Sequence, residues 1–130
     1  MDFIHAFSIE NIKFIIEGFY ITLKVAFISI VLSFVLGCMI GTFRYMKMPV
    51  VSPILGILVE IIRNLPLLLI IFFVRFALPD IGIRLSVVNS AILALTLFEA
   101  AMISEIVRSG LNSIDKGQIE AARSSGLRYT

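Results

Sequence analysis

The residues of this chain with the capacity for chemistry are a few charges set inside apolar sequence. Glu60 and Arg63 are three apart, so on a helix they stand one turn from each other and can meet on one face. Such pairing offsets part of the cost of burying either charge, which for an isolated charge at a bilayer centre is at least a few kcal/mol. Two roles are open to the pair: orienting its helix or a gate against neighbours, or contacting a substrate. Pro66 follows three residues later, where it removes a backbone hydrogen bond and presses on the preceding turn. This predicts a membrane-helix kink, or a hinge at a bend in a pathway. Glu99 is followed by Ala100 and Ala101, a small surface suited to close packing, and could bond to another helix, line a cavity or meet a cationic substrate. Glu105 and Arg108 repeat the three-residue spacing and read as a structural ion pair.

Covalent and metal chemistry find no support. The single histidine, His5, and the single cysteine, Cys38, have no ligand cluster or second thiol beside them. Thr22, Ser29 and Ser33 fall in a helical stretch where a hydroxyl can bond to the preceding turn, so no nucleophile, base and orienting group come together. No catalytic residue, metal site or bound cofactor is expected. A phosphate-cradling glycine-lysine loop is missing too, so energy-driven work by this chain would draw on a partner or an ion gradient.

The elements that carry these residues are apolar helices. Of 130 residues, 59% are hydrophobic and 15% charged, against about 25% charged in an ordinary soluble domain. A net charge of +2 is too small for a nucleic-acid footprint, and nucleic acid is excluded as an expected partner. Val25 to Phe43 is an unbroken uncharged run of 19 residues, close to the length needed to cross a hydrocarbon core of roughly 30 Å. Lys24 is tolerable just before it, because its stem can carry the ammonium to the headgroups. The reading is an all-α, polytopic transmembrane chain with helices at about 17–43, 50–74 and 86–107, followed by a polar segment at 108–130. Acidic residues Asp2, Glu10 and Glu17 precede the first run, so it is not expected to be a cleaved signal.

Charge asymmetry orients the bundle. Arg44, Lys47, Arg108, Lys116, Arg123 and Arg128 fall on one side of the three crossings, and Lys13, Lys24, Arg75 and Arg84 on the other. The positive-inside rule then favours an outside N-terminus and a cytoplasmic tail. Within that tail, the spacing from Ile119 to Gly126 predicts a short surface helix or docking element.

The tail also carries a resemblance. GQIEAARSSG, with Gly117, Glu120, Ala121, Ala122 and Gly126, resembles the cytoplasmic EAA loop of permease subunits of bacterial ATP-binding-cassette importers, in the polar amino-acid uptake class. ISEIVRSGLNSI around Glu105 and Arg108, EIIRNLPLLL around Glu60, Arg63 and Pro66, and GFYITLKVAFISIVLSFVLG near the start match the same class in order. The resemblance implies a five-helix permease in the bacterial inner membrane. Its implied partners are a second permease subunit, cytoplasmic ATPase subunits that hydrolyse the ATP, an external substrate-binding protein and an amino-acid substrate. It also implies that Glu120, Ala121, Ala122 and Gly126 fit a groove of the ATPase. The family continues past this point to an Ile-x-Leu-Pro element and further helices, so the sequence reads as a truncated, N-terminal part with about three of five helices, unable to transport alone. Two other readings remain: an ion-coupled secondary transporter using Glu60 or Glu99, discriminated by uptake without an ATPase, and a non-transporting membrane adaptor.

Overall fold

A computed structural model describes residues 9–126, and every described element is helical. His5, Asp2 and Arg128, used above for ligand and charge arguments, lie outside the described residues.

Helix α1 runs Ile9–Tyr45, 37 residues, or about 55 Å at the α-helical rise, so it begins well before the expected position 17. Only Ser29, Ser33, Gly37 and Gly41 are buried along it. Their four-residue spacing makes one narrow stripe of small side chains. The other faces carry large apolar groups in the open, such as Phe27 at 71% and Phe34 at 61% exposure. Apolar surface of this extent is suited to lipid.

The stripe meets the helix Val87–Asn112, labelled α4 below, which starts at Ser86, whose Oγ accepts from the Asn89 amide at 3.2 Å. Contacts ascend together along the two helices: Ser29 Oγ donates to the Ile92 carbonyl at 3.5 Å, Gly37 lies against Ala100 and Ile103, and Gly41 lies against Ser104 and Val107. The two helices are therefore parallel. A Cβ on Gly37 would stand 2.6 Å from Ile103 Cβ, and one on Gly41 2.6 Å from the Ser104 carbonyl oxygen. Only glycine permits this approach of one backbone to the other.

Parallel neighbours require a return path between them, and here it is broken. Helix α2 spans Val51–Asn64 and helix α3 Leu67–Phe72; α3 continues as a π-turn over Phe73–Ala77 and a 3-10 turn over Leu78–Ile81. The axes before and after the break differ by 107°. The single second helix expected over 50–74, kinked or hinged at Pro66, is broken there instead: Pro66 caps a new helix, with φ −64° and ψ 138°. Leu65 is extended at φ −88° and ψ 140°, as sterics before proline demand. The Ile62 carbonyl, whose helical donor would have been the amide that Pro66 lacks, accepts instead from the Leu65 amide at 3.3 Å, and Asn64 Nδ2 donates to the Glu60 carbonyl at 2.8 Å in the last turn.

The fold closes around Ile70, Val74 and Ala94, with Ile62, Leu65, Leu78, Leu93 and Phe98 packed about them. Arg75 donates to the Leu85 carbonyl at 2.9 Å and ties the turn before α4 to the bent segment. Gly82, at φ 89°, makes the left-handed turn that ends the 3-10 segment. Beyond α4, helix α5 covers Lys116–Ser124.

Candidate functional site

Two groups of residues gather toward the end of the bundle where α1 finishes and α4 runs out. The first is centred on Glu105. One of its oxygens takes a 2.8 Å hydrogen bond from Arg44 at the end of α1 and lies 3.7 Å from a guanidinium nitrogen of Arg63 on α2. The other is contacted by both donors of Arg108, with Nε at 3.1 Å, and by Ser109 Oγ at 3.4 Å. The carboxylate thereby pins three helices with one half-buried group, since its side chain is 19% exposed. Charge-assisted hydrogen bonds of this kind are about twice as strong as neutral ones and fix orientation as well as distance.

Sequence spacing identified only part of this arrangement. Glu105 and Arg108 do meet across one turn. Arg63 does not turn to Glu60 but reaches across to Glu105, and Glu60 is exposed. Arg44 was absent from the candidate residues, although it is the first charge after the longest uncharged run and so a natural anchor at a membrane boundary. Glu99 is exposed on α4 beside a groove of about 410 Å³ lined by Ala26, Ser29, Ser33, Phe34 and Ile103. It stands apart from the Glu105 cluster.

The second group is α5. Asp115 caps it, its Oδ1 accepting from the Gly117 amide at 2.8 Å. At the other end the Ala121 carbonyl accepts from the Ser125 amide at 3.1 Å and from the hydroxyls of Ser124 at 2.8 Å and Ser125 at 3.0 Å. Gly126 follows at φ 84°, a left-handed conformation typical of the position just beyond a helix. A nine-residue helix is marginal on its own, and these caps are what define its ends. Glu120 and Ala121 are exposed and Ala122 is half-buried, so the Glu-Ala-Ala triplet stands on a small, accessible helix. Asp115, Ser124 and Ser125 were missed as site-forming residues, though an acid before the helix and two serines before a glycine are readable boundary signals. Among the described residues no group of three His, Cys, Asp or Glu side chains could hold a metal.

Two helices long and apolar enough to cross a bilayer, a third broken path and the accessible helix α5 define an integral membrane protein. The chain belongs to the family of binding-protein-dependent transport system inner membrane components, whose profile matches residues 33–130. It is 66% identical over its whole length to the "Probable glutamine ABC transporter permease protein GlnP" of Bacillus subtilis, covering 60% of that protein. It is 40% identical over 128 residues to the "Arginine transport system permease protein ArtQ" of the same organism, with 94% of this chain and 56% of that protein covered. A crystal structure of an amino acid ABC transporter with histidines superposes with a TM-score of 0.85 at 26% identity, over 99% of this chain and 59% of that one. The chain therefore spans a little over half the length of the relatives it matches.

Proposed function

We propose that this chain contributes to the permease subunit of an ATP-driven amino-acid importer, forming part of the translocation pathway and receiving the ATPase stroke through α5. The observation that carries this reading is the capped helix of Glu120, Ala121 and Ala122 ending at Gly126, within the region matched by the transport family. Small side chains permit close approach of a partner surface, and the exposed carboxylate of Glu120 is available as an acceptor for a partner donor. Gly117 keeps the first turn bare of side chain. The hub at Glu105 ties α4, which leads into α5, to α1 and α2, so force on α5 would be shared among the membrane helices.

On this reading the Arg44 end of the bundle and α5 are cytoplasmic and the N-terminus is outside, in keeping with the excess of basic residues at that end. The partners are cytoplasmic ATPase subunits, a second permease subunit and an external substrate-binding protein, in a bacterial inner membrane. No cofactor is bound by this chain, and ATP is hydrolysed by the partner. Glutamine is the first substrate to test, given the relative at 66% identity. Glu60, Arg63 and Pro66 belong to the bend that would reshape during transport, and Glu99 to the groove facing the pathway. A membrane acid faces protein or water rather than lipid, which supports placing Glu99 there.

The test is site-specific crosslinking. A cysteine introduced as Ala122→Cys in a permease whose native Cys38 has been replaced (Cys38→Ser) is expected to crosslink to the ATPase in the assembled complex, and Lys13→Cys at the far end in the same background is expected not to. Equal labelling at both positions, or none at Ala122→Cys in an intact complex, contradicts the coupling role.

A further inference from the structure

We propose that the cationic cavity between the end of α1 and the first turns of α2 binds a phosphate group, and that its source is the headgroup of an anionic membrane lipid. The cavity, of about 430 Å³, is lined by Arg44, Lys47 and Arg108 together with Met48, Ser52 and Gly56. Its charge is unbalanced. Of its three cations, Arg44 and Arg108 share the carboxylate of Glu105 with Arg63 from outside the lining, and Lys47 has no acid in ion-pair range among the described residues. Guanidinium groups present paired donors that match phosphate oxygens, and an ammonium adds a compact charge.

Depth selects the lipid. Arg44 directly follows the uncharged run Val25 to Phe43, so the cavity opens where the hydrocarbon core gives way to headgroups. The apolar side chains of Met48, 39% exposed, and of Pro49 and Pro53 line it as well, and these offer an acyl chain a surface that a free phosphate ion would not use. Lys47 holds the turn between the helices at φ 51°, placing its cation on the cavity wall. A basic recess between membrane helices on the side rich in lysine and arginine has the chemistry for anionic headgroups.

The experiment is native mass spectrometry of the full-length permease, titrated separately with phosphatidylglycerol and phosphatidylcholine. Lys47→Asn is the informative variant, because it removes the cation while asparagine tolerates the left-handed backbone, and it leaves the Glu105 cluster untouched. Wild type is expected to retain phosphatidylglycerol in preference to phosphatidylcholine, and Lys47→Asn to lower that retention about fivefold, the effect of one basic residue near an anionic surface. Lys13→Asn, at the opposite end of α1, is expected to match wild type. Equal retention of both lipids, or Lys47→Asn behaving as wild type, overturns the proposal. Displacement of the bound lipid by millimolar inorganic phosphate overturns the lipid as the source and assigns the site to free phosphate.

Discussion

Glu105 shows how one carboxylate can organise three helices. Its partners Arg44, Arg63 and Arg108 come from α1, α2 and α4. Removing the charge leaves three cations facing one another with no anion between them, Arg44 and Arg108 partly buried and Arg63 more exposed. Glu105→Gln is therefore expected to lower stability by about 2 kcal/mol, the scale of a lost charge-assisted bond, and to loosen the ends of all three helices together. Thermal unfolding in detergent with hydrogen exchange on residues 44–63 checks this, and protection lost only near residue 105 would argue against a shared hub. Spacing along one helix made the Arg108 contact legible. The Arg44 and Arg63 contacts were not, because a period of three or four reports only neighbours on the same helix, while these partners lie 61 and 42 positions away.

At the level of elements, the stripe Ser29, Ser33, Gly37 and Gly41 and the break at Pro66 set the architecture. Gly37 and Gly41 let α1 and α4 run parallel in close contact. Gly41→Leu is expected to force them apart and cost about 1–3 kcal/mol, as overpacking does, whereas Gly18→Leu, where a Cβ meets nothing within 4 Å, is expected to be neutral. Comparing the two by thermal stability in detergent separates a packing effect from a general effect of added bulk. Pro66 acts differently: it ends one helix and starts another at a steep angle. Pro66→Ala is expected to let α2 continue through residue 66 and straighten the path, which spin labels at Ser52 and Leu69 would register as an increased separation. An unchanged distance would mean that the core around Ile70 and Val74, rather than the proline, holds the bend. The proline was readable as a disruption, but its extent was not. Apolar composition dominates on both sides of Leu65 and Pro66 despite Glu60, Arg63 and Asn64, and only tertiary packing shows that two helices, not one, occupy that run. The small-residue stripe had a readable four-residue spacing, and its meaning depended on knowing which helix lay opposite.

Among the described residues, the apolar exterior, the parallel pair α1 and α4 and the returning broken segment place a polar, capped helix just beyond α4. The apolar runs made the membrane class legible, and the ordered match from GFYITLKVAF to GQIEAARSSG made the transport family legible. The relative positions of helices were not, since periodicity says which face is apolar without saying what covers it. The central claim is that conformational work reaches these helices from an ATPase through α5. Its most direct test is uptake by proteoliposomes containing the full-length permease, its ATPase and its substrate-binding protein. Glutamine accumulation is expected to require internal ATP on the ATPase side and to persist when ion gradients are collapsed. Accumulation driven by an ion gradient with no ATPase present would contradict the account.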